Sequence, residues 1–181
     1  MFEKAQYRGP RFCQECGHAL SEADYGKEAM PCPSRTCTHT TYCNAVPVSN
    51  LIIPYQGGIL LQKRAIPPKV GYWGLPGGHQ GIELWQRTDQ RESEEELDVH
   101  IPDPVHNILP FWFDSTPDGR QIITFGIVRP GTKIVVRDFT PNSEVSDRMI
   151  LYPPQWPTFA PEICFELHRT AITRYFGRIA M

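Results

Sequence analysis

Residues 77–83 form a glycine-rich stretch that leads into a strongly charged segment at residues 85–97, which we predict to be a helix. On a helix, Glu92, Glu95 and Glu96 occupy positions i, i+3 and i+4, so their carboxylates lie on one side. Like charges at this spacing repel each other, and more strongly when they are partly buried. A divalent cation removes that penalty, and oxygen ligands favour Mg²⁺ or Mn²⁺. The pattern therefore predicts a metal site.

A run of glutamates is also typical of a solvated acidic helix face, so the residues around it decide between the two interpretations. Gly77 and Gly78 let the backbone approach an anion closely. Arg91 can pair with a neighbouring carboxylate and fix its rotamer, and Glu83 adds a further acid before the helix. These neighbouring residues favour the metal site over the solvated helix face.

Four cysteines near the N-terminus predict a second, structural metal site. Their spacing is Cys13-x2-Cys16-x15-Cys32-x4-Cys37, in which two pairs of thiolates suit tetrahedral Zn²⁺. The segment is poor in Leu, Ile and Val, so a metal would supply folding free energy that its small core cannot. The second pair is more widely spaced than the first, so His39 or Cys43 could replace one of its cysteines as a ligand. The alternative to a metal site is a set of free thiols in a loop.

Composition and charge indicate which partners and which cellular location we expect. The chain has 181 residues with 18 Lys+Arg against 20 Asp+Glu, a formal net charge of -2 that gives no global attraction for nucleic acid. We expect no membrane span, because no apolar run approaches the ~20 residues that a span needs. Residues 1–4 lack the apolar stretch of a signal peptide, so we expect a cytoplasmic protein.

From residue 46 onward the pattern predicts an α/β or α+β domain. A first helix is expected at residues 85–97, and a second, amphipathic one at residues 161–176 with Cys164 as a core residue on its apolar face. Thr116-Pro117-Asp118-Gly119 predicts a hairpin turn between two strands. The predicted strands lie at residues 46–53, 108–113, 121–128 and 133–136, with a further one starting at residue 59.

The stretch from Gly77 to Val99 resembles the signature of the Nudix hydrolases, Gx5Ex7REUxEExGU, where U is a bulky apolar residue. The cysteine segment resembles the zinc ribbon of one Nudix branch, which includes NADH, FAD and ADP-ribose pyrophosphatases. The resemblance implies a zinc-ribbon segment at residues 1–44 and a Nudix domain at residues 45–181, an α/β/α sandwich with a mixed sheet. It also implies a homodimer.

The resemblance implies hydrolysis of a nucleoside diphosphate linked to another group, with ADP-ribose or FAD favoured over NADH. Glu92, Glu95 and Glu96 would bind Mg²⁺ or Mn²⁺, with Glu83 and Arg91 completing the catalytic group. The general base stays open between Glu96 and a carboxylate of a later loop, Glu144 or Asp147, each of which could instead be a surface acid. The candidate substrate-binding residues are Arg64, Trp73, Gly77 and Gly78, of which Arg64 could be structural and Trp73 a core residue.

Four polar residues depart from the family pattern. Ser93 stands at an apolar position and Asp98 at the glycine that normally ends the helix, while Thr88 and Asp89 stand where small apolar residues usually pack on the sheet. Unpaired polar groups at a packing face cost stability. The alternative to an active hydrolase is therefore an impaired Nudix-type protein that binds or senses a nucleotide without cleaving it.

Overall fold

The computed structural model describes residues 9–179, and the chain divides into two compact units, Met1–Ala45 and Val46–Met181. Residues 1–4, on which the expectation of no signal peptide rests, lie outside the described residues. Within residues 9–179, every helix is too short or too polar to cross a membrane.

The N-terminal unit is built around cysteine-bearing turns and one small hairpin. Strands β1 (Ala29–Pro31) and β2 (Thr40–Tyr42) pair antiparallel, and the buried side chains are few: Cys13, Leu20 and Met30. In the first turn the amide of Gly17 donates to the carbonyl of Cys13 at 2.9 Å, and Gly17 has a φ of 71°. That left-handed conformation favours glycine directly after the second cysteine.

The second unit contains two four-stranded sheets, a separate strand pair and two long helices. The strands are β3 (Val46–Ile52), β4 (Pro54–Tyr55), β5 (Gly58–Arg64), β6 (Trp73–Gly74), β7 (Gly77–His79), β8 (Val99–His100), β9 (Ile108–Ser115), β10 (Gln121–Val128), β11 (Val135–Val136) and β12 (Val145–Leu151). One sheet has the order β7-β3-β10-β9, in which β3 and β10 run parallel and the other neighbours antiparallel. The other has the order β12-β5-β4 with β6 beside β5. Strands β8 and β11 form a separate antiparallel pair.

Two hydrophobic cores lie on opposite faces of the sheets. Helix α1 (Trp85–Leu97) contributes Leu97 to one core, and helix α4 (Glu166–Ile179) contributes Phe176 to the other. Two short helices lie between α1 and α4 in the sequence, α2 (Pro104–Asn107) and α3 (Trp156–Phe159). Successive residues of β3 alternate between the cores, with Leu51 in the first and Ile52 in the second. Burial on both faces explains the continuous apolar runs and confirms the predicted α/β/α arrangement.

Helix α4 begins later than the sequence predicts, at Glu166 instead of residue 161. Residues Ala160–Glu162 form a 3₁₀ turn, and Ile163 is extended and forms a parallel bridge with Trp73. Cys164 is buried, as predicted, but it lies ahead of the helix and its amide donates to the carbonyl of Trp73 at 2.8 Å. Pairing with β6 therefore holds this segment out of the helix.

Two strand predictions were also wrong or incomplete. Only Val135–Val136 of the predicted strand at residues 133–136 pairs with another strand. Strand β12 was missed, and it lies along the whole length of β5. Its burial pattern shows why, because only its first and last residues, Val145 and Leu151, are buried and the five between them show no alternation.

Most of the polar residues that depart from the family pattern in and after α1 are hydrogen-bonded. Asp98 adopts the left-handed conformation, φ 54° and ψ 38°, in which its amide caps the helix end, and Asp is among the few residues that tolerate it. The buried Ser93 hydroxyl lies 2.9 Å from the carbonyl oxygen of Val99, and the Thr88 hydroxyl donates to Glu83 at 3.1 Å. Hydrogen bonds thus compensate three of the four departures.

Asp89 is the exception. Its side chain is fully buried, and neither carboxylate oxygen has a hydrogen-bond partner among the described residues. Burial raises the pKa of Asp89 from 3.8 to about 7; the charge of Glu92 raises it further, and the nearby Ser49 hydroxyl compensates only in part, without a well-formed hydrogen bond. Asp89 therefore destabilises the folded unit whenever it is ionised.

Replacing Asp89 by asparagine is expected to stabilise the second unit at pH 8 but not at pH 4. Above pH 3.8 the unfolded chain releases the proton of Asp89, while the folded protein keeps it up to about pH 7. The contribution of Asp89 to the free energy of unfolding therefore falls as the pH rises from about 4 to about 7. The loss reaches at most about 4 kcal/mol above that window. Asparagine resembles the protonated acid and escapes this loss.

Urea unfolding followed by tryptophan fluorescence measures the effect, since all four tryptophans lie in the second unit. The exposed Asp114→Asn is the matched control, and as a surface substitution it should leave the free energy of unfolding within about 0.5 kcal/mol of wild type at both pH values. A difference between Asp89→Asn and wild type that is the same at pH 4 and pH 8 would contradict the prediction.

Candidate active site

Arg91 binds three of the predicted carboxylates at once. Its Nη1 donates to Glu92 at 2.7 Å and to Glu95 at 3.1 Å, and its Nε donates to Glu83 at 3.2 Å. The three acids differ in exposure, because Glu92 is buried, Glu83 is about one-third exposed and Glu95 is open to solvent. The structure thus brings together the acids that the sequence pattern grouped, and Arg91 orients them.

Glu96 lies beside this cluster and is held by two donors. Its Oε2 accepts from the amide of Gly77 at 2.7 Å and from Nε2 of Gln62 at 2.8 Å. Burial raises the pKa of Glu96 to about 8; these two hydrogen bonds oppose that rise, and the charges of Glu92 and Glu144 add to it. Burial likewise raises the pKa of Glu92. Two buried acids close together are a site that a cation would stabilise.

The glycine pair is required by close backbone approach. Gly77 has a φ of 154°, and a Cβ there would lie 2.2 Å from the carbonyl oxygen of Ser49. A Cβ on Gly78 would lie 2.3 Å from Oε1 of Glu92. Strand β7, which contains both glycines, therefore packs directly against the carboxylates.

A cavity of about 530 Å³ opens beside Glu96. Three of the predicted substrate-binding residues, Arg64, Gly77 and Gly78, line it. The Nε of Arg64 donates to the carbonyl of Pro68 at 2.9 Å, and its guanidinium lies 5.4 Å from the ring centre of Phe165. These contacts orient Arg64, the one Lys or Arg among the described residues that line the cavity.

Trp73 is placed differently, since the described lining of the cavity does not include it. Its ring centre lies 6.2 Å from that of Phe159, and the ammonium of Lys63 lies 5.5 Å above the ring. Trp73 also packs against the core beneath α4. Its surroundings therefore match the core role that the sequence left open.

Of the two later acids, the structure places only Glu144 at the cavity. The Glu144 carbonyl accepts from the amide of Ala65 at 2.7 Å, and Nδ2 of Asn142 donates to the carbonyl of Glu95 at 2.8 Å. These bonds tie the loop to the end of α1. Asp147 lies on the exposed part of β12 and does not belong to the described lining.

Two buried polar residues of the site were missed in the sequence. Gln62 interrupts an apolar strand, and its Nε2 lies near both the Leu75 carbonyl, at 3.4 Å, and Glu96. His168 lies on the apolar face of α4, where its Nδ1 accepts from the amide of Leu75 at 3.1 Å. A polar residue inside an otherwise apolar pattern is the signal that could have identified both.

The N-terminal unit contains a separate candidate metal centre. The Sγ atoms of Cys13, Cys16, Cys32 and Cys37 all lie within 4.8 Å of one another, with separations of 3.8 Å for Cys13–Cys37 and 3.6 Å for Cys16–Cys32. Tetrahedral Zn²⁺ with Zn–S bonds of about 2.3 Å requires S–S separations of about 3.8 Å. The four thiols therefore fit a zinc ion.

The structure also addresses which residue is the fourth ligand. Cys37 lies in the cluster with the other three, while neither His39 nor Cys43 belongs to it. Cys43 is exposed, and Nε2 of His39 is buried without a partner among the described residues. The backbone amide of Cys16 contributes most to lowering the pKa of Cys13 to about 6. The backbone hydrogen bonds of Cys32 and Cys37 are outweighed by desolvation and the neighbouring thiols, which raise the pKa values of both, so metal binding must displace protons from these thiols.

No protein-family model and no curated protein matches the sequence. Solved structures do match. A NUDIX hydrolase from Nitrosomonas europaea superposes with a TM-score of 0.74 at 23% identity, covering 93% of this chain and 91% of that one. The NUDIX domain of Shewanella oneidensis NrtR, in complex with ADP-ribose, has a TM-score of 0.56 at 18% identity over 75% of this chain and 88% of that one.

A further match is a bifunctional NMN adenylyltransferase/ADP-ribose pyrophosphatase from Francisella tularensis, in complex with AMP and a manganese ion. Its TM-score is 0.59 at 19% identity, covering 74% of this chain and 42% of that one. These likenesses extend the agreement from the signature residues to the arrangement of the sheets and helices. The resemblance seen in the sequence is confirmed at the level of structure, and the chain has the Nudix fold.

Proposed function

We propose that the protein is a metal-dependent hydrolase that cleaves the diphosphate of a nucleoside diphosphate linked to a second group. The observation that carries the proposal is the pair of buried acids, Glu92 and Glu96, at the edge of a cavity of ligand size. Desolvation of two neighbouring carboxylates costs free energy that a structural role does not repay. A function that needs their charge accounts for that cost.

In this proposal Glu92, Glu95 and Glu96 hold Mg²⁺ or Mn²⁺. The bound cation supplies charge neutralisation for the diphosphate and lowers the pKa of an attacking water. Arg91 keeps the glutamate rotamers fixed through its bonds to Glu92 and Glu95. Glu83 orders the preceding loop by accepting hydrogen bonds from Thr88 and Arg91.

The remaining groups orient the substrate and move the proton. Arg64 binds a phosphate oxygen, and the glycine backbone of β7 lies close enough to the acids for the diphosphate to contact it. Glu144 is favoured as the general base over Asp147, because Glu144 lines the cavity. Glu96 is the alternative base, since burial raises its pKa to about 8.

ADP-ribose and FAD are the proposed substrates. The similar structures whose names include ADP-ribose or AMP support this class, as does a cavity of about 530 Å³. In the N-terminal unit we propose one structural Zn²⁺ on Cys13, Cys16, Cys32 and Cys37. The homodimer and the cytoplasmic location stay predictions.

The test is hydrolysis of a substrate panel with Mg²⁺, followed by detection of AMP. The panel contains ADP-ribose, FAD, NADH and a diadenosine polyphosphate. We expect release from ADP-ribose or FAD that disappears in Glu95→Gln, because Glu95 is exposed and its loss does not disturb the core. Binding without turnover across the panel would instead support the nucleotide sensor.

A further inference from the structure

His168 is buried in the wall of the cavity and has one hydrogen bond. The residue is only 7% exposed, and its Nδ1 accepts from the backbone amide of Leu75 at 3.1 Å. The rings of Phe125 and Phe165 meet it edge-on, with ring centres at 5.8 Å and 5.4 Å. The imidazole is therefore held in one orientation by a backbone donor and two aromatic side chains.

That hydrogen bond determines the tautomer of His168. An amide can donate only to an unprotonated ring nitrogen, so Nδ1 carries no proton. Burial keeps the ring neutral, because it lowers the pKa of His168 to about 3. A neutral imidazole has one N–H, which must then be at Nε2. No described residue accepts a hydrogen bond from Nε2, and the residue borders the cavity.

We infer that the Nε2–H of His168 donates a hydrogen bond to an uncharged acceptor, on the sugar or base, of the nucleotide bound in the cavity. The inference rests on the proposed function. A ligand that fills the cavity excludes water from Nε2, and an N–H left without an acceptor there would cost about 1–3 kcal/mol, so ligands with an acceptor at this position are favoured. His168 is thus a substrate-binding residue that selects ligands by an acceptor at this position.

The charges along the cavity explain why the acceptor is uncharged. The Leu75 amide contacts His168, and the Gly77 amide contacts Glu96, so the two ends of one short segment touch the two side chains. The two amides are two residues apart, at most about 7 Å, so His168 and Glu96 lie in the same part of the cavity lining, within reach of one nucleotide. Its diphosphate belongs at the acidic, metal-binding end. The cation nearest to His168 in the described cavity lining is Arg64, which packs on Phe165 and takes a phosphate oxygen in the proposed function. The neutral ring of His168 has no charge of its own to compensate a phosphate, so its N–H is left for an uncharged acceptor.

Two substitutions separate the ligand contact from the contact with Leu75. In His168→Asn the amide oxygen can replace Nδ1 as the acceptor for Leu75, but no donor reaches the position of Nε2. In His168→Gln the amide nitrogen can reach that position, but the Leu75 contact is lost. We expect His168→Asn to raise KM for the substrate and the Kd for AMP about 5- to 20-fold with kcat within about threefold of wild type.

His168→Gln is expected to keep its Kd for AMP within about threefold of wild type while its Tm falls. The control is Thr173→Ala, on the same helix but outside the described lining of the cavity, which should match wild type in both. Unchanged AMP affinity in a folded His168→Asn overturns this inference and leaves the proposed function intact. Failure of the wild type to bind or cleave any member of the panel overturns both.

A measurement on the wild-type protein tests the inference even if the variants do not fold. Nitrogen-15 NMR of histidine-labelled protein reports which ring nitrogen of His168 carries the proton, and its assignment can be made with His168→Gln or by sequential connectivity. We expect a proton at Nε2, and a shift of its resonance when AMP is added with Mg²⁺. A proton at Nδ1, or an unchanged Nε2 resonance when AMP is bound, would overturn the inference.

Discussion

Replacing Glu96 by glutamine is expected to lower kcat by about 1000-fold or more while leaving the fold intact. The two donors on Oε2, the Gly77 amide and Gln62, would both face the oxygen of the introduced amide. Its NH₂ group is then turned to the opposite side, where a metal ligand is needed. An amide nitrogen cannot bind a cation, so the substitution removes a ligand without opening a hole.

Stability should move in the opposite direction from activity. Burial raises the pKa of Glu96 to about 8, so the ionised acid destabilises the folded protein in the absence of metal. The amide carries no charge, and we expect the metal-free Tm of the variant to equal or exceed that of wild type at pH 8.5. Steady-state kinetics and thermal unfolding at that pH measure the two effects.

Glu94→Gln is the matched control, because Glu94 lies on the same helix but contacts only His100 among the side chains of the described residues. Its kcat should stay within about threefold of wild type, as expected for a surface residue. Equal losses of kcat in Glu94→Gln and Glu96→Gln would show that the total negative charge of the helix determines the activity, and would contradict a specific role for Glu96.

The parts of the fold that local sequence determines were predicted well. The bounds of α1 match the predicted residues 85–97, because its charge pattern lies between a glycine-rich stretch and a residue able to take a left-handed cap. The parts that depend on pairing were not. The start of α4 is set by the bridge between Ile163 and Trp73, which are 90 positions apart, and no local pattern contains it.

The same distinction applies to the candidate site. The spacing of Glu92, Glu95 and Glu96 within one helix made their proximity predictable. The contact of Gln62 with Glu96 joins β5 to α1, and the contact of His168 with Leu75 joins α4 to a loop. Both depend on the packing of elements distant in sequence. At Phe111 and Trp112, a register shift between β9 and β10 interrupts the alternation of a regular strand, and both residues pack against side chains of α4.

Removing the metal from the four-cysteine cluster is expected to unfold the N-terminal unit and leave the second unit folded. The described core of the first unit has three buried apolar side chains, Cys13, Leu20 and Met30, and the first of these is itself a proposed ligand. Zinc binding supplies about 10–16 kcal/mol in small domains of this kind, more than such a core provides. Metal analysis of the purified protein should find about one Zn²⁺ per chain.

Cys16→Ser should abolish zinc binding and expose residues 9–45 to proteolysis, because three thiolates cannot complete the tetrahedral site. Cys43→Ser is the control, since Cys43 is exposed and outside the cluster, and it should retain the metal. Tryptophan fluorescence should be unchanged in both, as every tryptophan lies in the second unit. If the wild type carries no zinc, or if Cys43→Ser loses it as completely as Cys16→Ser, the assignment of the four ligands is wrong. Proteolysis that spreads beyond residue 45 in Cys16→Ser would show instead that the second unit needs the zinc-bound segment to stay folded.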